Sequence, residues 1–370
     1  MVVMPKQNVP ALRLHGFSGE WEDCTLGEHS HVTTGSSDVQ DADPDGLYPF
    51  FVRSQHVERS NKYLFDGEAI LIPGEGRLGE IFHYYIGKFD FHQRVYRISH
   101  FEDIDGKYVY WAMQHSFKDH AMQNTVKATV DSLRQPTITG FIFQKPPTLE
   151  EQQAIGAIFT NLDAAINQHT LKHKALQQAK TALMQRMFPQ EGQTVPELRL
   201  EGFSGEWKTT SIGAVSALHN GRDYKHLGEG CIPVYGTGGY MASVDQALSH
   251  DKDAVGIGRK GTINKPYILR APFWTVDTLF YVVPNQDTDL AFFYASVLQV
   301  DWMAKNTATG LPSLTSQAIN SADISVPPTL EEQQAIGAVF TNLDQLIAAE
   351  AQYIASLKQA KTALLQRMFI

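Results

Sequence analysis

The side chains best suited to chemistry in this 370-residue chain lie in short polar turns, and they are of the types that bind nucleic acid. Arginine, lysine, glutamine, histidine and hydroxyl groups bond base edges and phosphates, and glycine lets the backbone approach a phosphate closely. Within residues 22–145 such groups cluster at Arg53–His56, Gly74–Arg77 and Phe91–Arg94. The predicted contact residues there are Arg53, Ser54, Gln55, His56, Glu75, Arg77, His92, Gln93, Arg94, Lys127 and Arg134.

A second set of turns occupies matching places in residues 208–326. Tyr235–Tyr240 and Gly258–Thr262 are rich in glycine, and Thr307–Ser313 is a further loop whose possible counterpart is Thr125–Arg134. The predicted contact residues are Tyr235, Thr237, Gly238, Gly239, Tyr240, Arg259, Lys260, Thr262, Lys265, Thr307, Thr309 and Ser313. Each turn could also be only a turn. His83 and His92 could equally be structural histidines whose rings are hydrogen-bonded.

No motif for catalysis accompanies these turns. The sequence has no GxSxG elbow, HExxH helix, CxxC pair or P-loop. The Pro-Pro pairs follow Lys145 and Val326, whereas an adenine methyltransferase motif has Asn or Asp there, and no glycine-rich loop suits S-adenosylmethionine. The cysteines, Cys24 and Cys231, match no metal or redox spacing. We therefore expect no catalytic residue, no metal and no cofactor.

The composition indicates a folded protein without a membrane segment. The hydrophobic fraction of 43% suits packed cores. No run approaches the ~18 apolar residues of a membrane helix, and the first residues lack a signal-peptide core, which favours a cytoplasmic location. The net charge of −9 slightly disfavours a nucleic-acid partner, although it says little about local patches or about phosphate contacts made by another subunit.

An internal duplication positions the polar turns. The segment VPALRLHGFSGEW at 9–21 recurs as VPELRLEGFSGEW at 195–207. The segment starting PPTLEEQQAIGA at 146–166 recurs at 327–347, and each copy continues into QAKTAL at 178–183 or 359–364. The period of about 180 residues is too long for a solenoid, so the sequence predicts a duplicated unit of one domain and one helix.

Each repeated segment after Pro-Pro is predicted to be a long helix. Thr148 with Glu151, and Thr329 with Glu332, match the S/T-x-x-E capping box. Apolar residues at three- and four-residue steps then form a seam over about 40 residues, or roughly 60 Å. The two seams most economically pack on each other, and if they do so antiparallel the two variable blocks lie at opposite ends of a rod. The alternative is that they only dimerise the protein. A glycine in mid-helix, at 156 and again at 337, calls for a close helix approach or a partner contact.

The blocks between the repeats predict mixed α/β domains with a common fold, since residues 66–72 align weakly with 251–257. Expected strands are Ala69–Pro73, Tyr108–Met113, Ala254–Ile257 and Thr278–Val283; expected helices are Tyr108–Asn124, which overlaps the second strand, and Ala291–Lys305. The predicted class is α/β (α+β), with two mixed domains separated by an antiparallel coiled coil of two helices, related by a pseudo-twofold axis. Predicted domains are 1–146 with entry segment 9–21, helix 147–190, 191–327 with entry segment 195–207, and helix 328–370.

The whole arrangement resembles the specificity subunits of type I restriction-modification systems. The resemblance rests on the PPTLEEQQAI helix opening, its duplication, and two blocks (66–96, and 254–284 with 309–319) that look like two lineages of target-recognition domain. It implies a non-catalytic reader of double-stranded DNA in which each domain reads half of an asymmetric bipartite site. It also implies that the helices set the spacer and dock two methyltransferase subunits, joined by endonuclease/translocase subunits. Two alternatives stay open: a coiled-coil scaffold whose domains bind proteins or other ligands, and an enzyme with an unrecognised site.

Overall fold

The structure is a computed structural model that describes residues 8–124 and 131–370, and these residues form two compact units. The first unit holds the chain up to His169 together with Tyr353–Ile370, and the second holds Thr170–Gln352. Each unit therefore contains one mixed α/β domain and part of each long helix. The units divide the chain inside both long helices, so the domain bounds predicted from the sequence stay a prediction.

The first unit is built on a six-stranded sheet in the order β2-β7-β5-β6-β3-β4, beside a two-strand ladder of β1 and β8. Short 3-10 helices cover Leu26–Glu28 and Val39–Asp41. Its strands and helices are β1 (Glu22–Thr25), β2 (His31–Thr34), β3 (Tyr48–Phe51), β4 (Val57–Ser60), β5 (Phe65–Pro73), β6 (His83–Phe91), β7 (Val95–Ser99), α1 (Gly106–Asn124), α2 (Gln135–Thr139), β8 (Ile142–Lys145) and α3 (Leu149–Arg186), the last of which continues into the second unit.

The sheet of the first unit is buried on both faces, and alternate side chains of β5 supply the two cores. Ile70 and Ile72 pack in the cluster that contains Trp111 and Phe117 of α1. Ala69 and Leu71 face the other way, into a cluster with Phe51, Phe89, Phe91 and Val95. This double burial explains why β5 is an almost continuous apolar run.

The second unit has two sheets, in the orders β10-β16-β13-β14 and β12-β11-β15, and a ladder of β9 with β17. Its elements are β9 (Lys208–Ser211), α4 (Ile212–Val215), β10 (Ser216–Asn220), β11 (Ile232–Gly236), β12 (Gly239–Val244), β13 (Ala254–Gly258), β14 (Tyr267–Leu269), β15 (Trp274–Thr275), β16 (Leu279–Pro284), α5 (Leu290–Leu298), α6 (Ser316–Asn320), β17 (Asp323–Val326) and α7 (Leu330–Met368).

The two domains share one topology, which confirms the common fold expected from the weak alignment. The antiparallel order β10-β16-β13 repeats β2-β7-β5, and the hairpin β11–β12 repeats β3–β4. One difference stands out. The long strand β6 pairs with both β5 and β3, whereas in the second unit β14 pairs with β13 and the separate strand β15 pairs with β11.

The two long helices pair antiparallel inside each unit, as predicted. In the first unit Lys361 Nζ lies 2.6 Å from Asp163 Oδ1, and the rings of Phe159 and Phe369 are 5.8 Å apart. In the second unit Lys180 Nζ lies 2.5 Å from Asp344 Oδ1, and Lys172 pairs with Glu350. In both units, residues that come later along α3 therefore contact residues that come earlier along α7, as in an antiparallel pair.

Each entry segment binds the start of a long helix through a bidentate ion pair. Arg13 Nε and Nη2 each donate at 2.7 Å to the carboxylate of Glu151, whose side chain is 1% exposed. The same guanidinium donates to the carbonyls of Ser18 and Gly19. Arg199 repeats every one of these contacts, with Glu332 as its carboxylate. This geometry also fixes the turn GFSGEW, because the arginine binds two of its carbonyls.

The capping boxes are only half formed. Thr148 Oγ1 accepts a hydrogen bond from Glu151 N at 3.3 Å, and Thr329 Oγ1 accepts one from Glu332 N at 3.2 Å. The prediction was wrong about the glutamates, whose carboxylates bind the arginines of the entry segments instead of the cap backbone. A charge-assisted bidentate pair is stronger than a single bond to a backbone N–H.

The mid-helix glycines are explained by close packing against a second helix. A Cβ on Gly156 would lie 3.0 Å from Lys107 Cβ, and one on Gly337 would lie 2.9 Å from Phe292 N. The adjacent glutamines complete this contact, since Gln152 and Gln333 each accept a hydrogen bond at 3.0 Å from a backbone N–H, of Asp105 and Asp289 respectively. We call this arrangement of arginine, glutamate, glutamine and glycine the joint between domain and helix.

Two sequence-based elements need correction. Tyr108–Met113 is not a strand but part of α1, because Asp105 Oδ1 accepts from Tyr108 N at 2.8 Å and starts the helix there. The helix expected over Ala291–Lys305 ends at Leu298. Beyond it the indole N–H of Trp302 bonds the carbonyl of Val297 at 3.0 Å, which folds the chain back and buries the ring.

Candidate nucleic-acid interface

Three loops of the first unit meet at one place, around the carboxylate of Glu75. Arg53 follows β3, Glu75 follows β5, and Arg94 lies in the turn between β6 and β7. Arg53 Nη1 lies 3.4 Å from Glu75 Oε2, and Arg94 Nη1 lies 3.0 Å from Glu75 Oε1. Both arginine side chains remain about half exposed, so their other donors face solvent. The sequence-predicted clusters are therefore neighbours in space.

The remaining predicted residues of these loops are exposed to different degrees. Ser54, Gln55 and His56 are exposed at the tip of the turn before β4. Arg77 is exposed and paired with Glu80 at 2.8 Å, on a carboxylate that Lys118 also binds. These two partners lower the pKa of Glu80, so it stays ionised.

His92 holds the turn together from inside. The residue is 3% exposed, and its Nδ1 accepts a hydrogen bond from Arg94 N at 2.9 Å. Burial, and then the charge of Arg53, lower the pKa of His92, which favours the neutral ring that this hydrogen bond needs. Gln93 is fixed as well, since its Nε2 donates to Asp38 Oδ2 at 2.8 Å. The geometry thus favours a structural role for His92, which was one of the two roles that the sequence left open.

His83 has a similar place below the neighbouring loop. Its Nε2 lies 3.1 Å from the carbonyl of Ser54, and burial lowers its pKa. Asp38 and His83, which the sequence had not marked as site residues, therefore shape the loops that carry Gln93 and Ser54. Asp38 could have been found from its position, because a carboxylate at the start of a turn commonly binds nearby donors.

The segment that ends the first domain also reaches the loop cluster. Glu75 forms an isolated bridge with Ser132, and Leu133 N donates to the carbonyl of Gly74 at 2.8 Å. Arg134 is exposed at the start of α2. Burial raises the pKa of Tyr96, and the charges of Arg94 and Arg134 oppose this rise. Lys127 lies outside the described residues.

Three loops also meet in the second unit. Gly261 N donates to the carbonyl of Pro312 at 2.8 Å, and Lys260 forms an isolated bridge with Ser313. The hairpin turn reaches the same place, since a Cβ on Gly261 would lie 3.9 Å from Thr237 Oγ1. The predicted clusters of this domain are brought together as well.

Asn306, which the sequence analysis missed, fixes the last of these loops. Its Oδ1 accepts hydrogen bonds from Ala308 N at 3.0 Å and Ser313 N at 2.9 Å. Thr307 N and Oγ1 both donate to the carbonyl of Ser313. The loop is therefore preorganised, with Thr309 exposed at its tip. An asparagine directly before a glycine-containing polar loop is a signal that could have identified it.

The groups that this second cluster presents to solvent are aromatic, polar and basic. Tyr240 is 64% exposed, on β12, while Tyr235 and Gly239 are partly buried in the same hairpin. Arg259, Lys260 and Lys265 are exposed; Gly238 is exposed at the turn, and Thr262 is partly buried. Within residues 8–124 and 131–370, neither Arg259 nor Lys260 forms an ion pair, in contrast to Arg53 and Arg94.

The two loop clusters occupy equivalent places but differ chemically. The bridge Lys260–Ser313 repeats Glu75–Ser132, and the bond from Leu314 N to Arg259 repeats the one from Leu133 N to Gly74. The described part of 125–134 is thus the counterpart of the loop ending at Ser313. Because a carboxylate stands in one domain where an ammonium stands in the other, the two surfaces cannot present the same pattern of donors and acceptors.

The described part of the chain contains no group of three or more His, Cys, Asp or Glu side chains placed to hold a metal ion. Over the same residues, no helix has both the length and the apolar character needed to cross a membrane.

Comparison with known proteins gives a consistent result. The family described as "Type I restriction modification DNA specificity domain" matches residues 18–177 and 204–359. The type I restriction enzyme EcoDI specificity subunit of Escherichia coli is 24% identical over 373 residues, covering 89% of this chain and 82% of that protein.

Among solved structures, the S subunit of a type I restriction-modification system from M. genitalium superposes with a TM-score of 0.77 at 16% identity, covering 98% of this chain and 99% of that one. A chain from a study of complex assembly and conformational transition of the type I R-M system has a TM-score of 0.51 at 13% identity, covering 96% and 99%. Because the sequence identities are this low, the similarity to these two structures shows a shared fold only.

Proposed function

Since this chain belongs to the family of type I restriction-modification DNA specificity subunits, we propose that it selects the DNA sequence on which its complex acts, by reading two unlike half-sites with its two domains. The observation that carries this proposal is the pair of equivalent loop clusters with different side chains. One cluster centres on Arg53, Glu75 and Arg94, and the other on Arg259, Lys260 and Ser313.

The chemistry of each cluster suits a DNA groove. Arginine can bind guanine edges in a bidentate manner, and lysine and backbone N–H groups bind phosphates. The loops are held by internal hydrogen bonds, such as those of Asn306 and His92, so little conformational entropy is lost on binding. Because the two clusters differ, the DNA target is proposed to be asymmetric and bipartite.

The two joints and the long helices are proposed to dock the partner subunits. The chain repeats these surfaces almost residue for residue, while the loops diverge. A duplicated surface suits two copies of one partner, here two methyltransferase subunits, which endonuclease/translocase subunits would join. The structural relative from an assembled type I system is compatible with such partners.

The chain itself is proposed to have no catalytic step. The cluster side chains are cations, hydroxyls, amides and the carboxylate of Glu75, which is paired with Arg53 and Arg94; His92 is turned inward onto Arg94 N. Methyl transfer and strand cleavage would belong to the partners, which would also add phosphate contacts to those made by this chain, whose net charge is −9.

Mapping modified adenines across the genome tests the proposal. We expect a bipartite, asymmetric methylated motif that disappears when the gene is deleted and returns with the wild-type gene. A scaffold or an independent enzyme would leave such a motif unchanged. Finding no gene-dependent motif in cells that contain an active methyltransferase partner would refute the reading function.

A further inference from the structure

Arg97 is a buried cation on the face of the first-unit sheet that points away from α1. It is 8% exposed, and its Nε is fully enclosed without a hydrogen-bond partner. Across residues 8–124 and 131–370, its guanidinium forms neither an ion pair nor a hydrogen bond. Burial lowers the pKa of Arg97, as expected for a cation that has left water without a partner.

The surroundings of the guanidinium stabilise its charge but leave its donors unused. Its central carbon lies 3.8 Å from the ring centroid of Phe65 and 5.7 Å from that of Phe91. Aromatic faces attract a cation, but they do not replace the in-plane hydrogen bonds that a guanidinium makes to oxygen. Nε is enclosed without a partner, and no described residue accepts a hydrogen bond from the other guanidinium N–H groups, so this planar set of donors is complementary to an oxyanion.

The neighbouring polar groups are hydroxyls and imidazoles. Thr33 lies directly opposite Arg97 on β2, and His31 lies opposite Ser99, so these side chains share one face of the sheet. The ring of His100 lies 5.6 Å from that of Phe65 and 5.9 Å from that of His31. The groups around Arg97 can thus donate hydrogen bonds to an anion, and both histidines are exposed to solvent.

The second unit shows that the fold does not require this cation. The backbone N–H of Gly35 bonds the carbonyl of Val95, as that of Gly221 bonds the carbonyl of Leu279, so Arg97 corresponds to Tyr281. Tyr281 lies opposite His219, and the two rings stack at 4.8 Å. A stacked pair of aromatic rings therefore fills the position that Arg97 occupies in the first unit.

We propose that Arg97, with Thr33, His31 and His100 beside it, forms a binding site for a small oxyanion of the phosphate type in the first domain. The site is distinct from the loop cluster around Glu75, and it does not depend on the DNA-reading function. Phosphate can reach it from two sources, as the free ion or as part of a DNA backbone.

Thermal unfolding of the full chain tests the site, with inorganic phosphate compared against chloride at matched ionic strength. At a phosphate concentration about tenfold above its Kd, we expect the Tm of the wild type to rise by about 2 °C relative to chloride. Arg97→Met keeps the apolar stem and should lose this rise. The matched control Tyr281→Phe, at the equivalent position of the second unit, should keep it.

The Tm of the wild type alone can refute the phosphate site, and the variants then show whether Arg97 forms it. An equal Tm of the wild type in phosphate and chloride would overturn the proposal, whatever the variants do. So would a phosphate response that Arg97→Met retains. If Arg97→Met does not fold, a response that Arg97→Gln loses and Tyr281→Phe keeps supports the site. A DNA-binding assay then identifies the source of the phosphate. If Arg97→Met loses DNA affinity, and phosphate displaces DNA from the wild type better than chloride does, the site binds the DNA backbone. If the DNA affinity of Arg97→Met is unchanged, the site binds the free ion.

Discussion

At the scale of single residues, the ion pair between each entry segment and its helix is the contact whose loss should cost most. Glu151 is 1% exposed, and Arg13 is its charged partner. Removing one member of a buried pair leaves the other charge without compensation. We expect Arg13→Met to lower the free energy of unfolding by about 3 kcal/mol in denaturant titration.

A matched exposed pair provides the control for this substitution. Arg270 binds Asp253 in the second unit, but its side chain is 66% exposed. Arg270→Met should cost about 1 kcal/mol or less, as exposed pairs do. Equal effects of the two substitutions would contradict the special role of the Arg13–Glu151 pair.

Residues of the loop clusters should affect one half-site each. Replacing Arg259 by alanine should weaken binding about 5- to 150-fold, as the loss of one good base contact does. The change should fall on one half of the recognised sequence, while Arg94→Ala should affect the other half. Binding assays with DNA altered in a single half-site provide the measurement. If either substitution changed the preference at both halves, reading by separate domains would be refuted.

At the scale of elements, the mid-helix glycines show a conflict between propensity and packing. Alanine is the better helix former by about 1 kcal/mol. Gly337→Ala should nevertheless lower the free energy of unfolding by about 2 kcal/mol, because the new Cβ would lie 2.5 Å from Asp289 Oδ1 and 2.9 Å from the fixed Phe292 N. Gly156→Ala should cost less, since its nearest contact would be 3.0 Å.

Ala179→Gly is the matched control, because Ala179 is exposed on α3. It should lose about 1 kcal/mol through helix propensity alone. If Gly337→Ala raised the free energy of unfolding, the close approach of α7 to α5 would not explain the glycine.

The elements also show where sequence reasoning works and where it fails. The long helices were predictable because their apolar period and their duplication both mark them, and β5 and β13 were predictable as apolar runs between turns. The pairing of Glu151 with Arg13 was not predictable, because Arg13 lies 138 residues away. The capping-box pattern instead indicated a local hydrogen bond from the cap backbone to Glu151. The arginine that recurs at the same place in both entry segments could have indicated this pairing.

The loop clusters were predictable as residue types but not as geometry. The sequence marks Arg53, Glu75 and Arg94, yet only the sheet order brings these three turns together. It marks His92 equally, although this side chain points inward. Which polar group of a turn faces solvent depends on backbone geometry that residue type does not determine, and Arg97 was hidden inside a strand pattern for the same reason.

At the scale of the whole molecule, we expect the length of the helix pair to affect the spacing of the two proposed half-sites. Within the second unit Lys172 pairs with Glu350 and Lys180 with Asp344, so an insertion must enter both helices to keep these pairs. Seven residues placed before Leu176 and seven placed after Ile347 should preserve the apolar seam and add about 10 Å. We expect unchanged half-sites and a spacer longer by about three base pairs, measured by mapping the methylated motif.

An insertion into α3 alone is the control for this experiment. It should shift one of the two ion pairs out of register and lower the Tm. A longer helix pair that left the spacer unchanged, or that altered a half-site, would contradict the role of the helices in spacing.

The ladder of β1 with β8 brings the two ends of the first variable block side by side. Glu22 is paired in register with Lys145, so the variable block leaves and re-enters the joint through two adjacent strands. Lys208 and Val326 repeat this arrangement in the second unit. A foreign domain whose ends lie side by side could therefore be transplanted at these two residues without changing the Arg13–Glu151 pair, if it brings a helix that packs on Gly156 as α1 does. We expect such an exchange to change one of the two proposed half-sites and to leave the other unchanged.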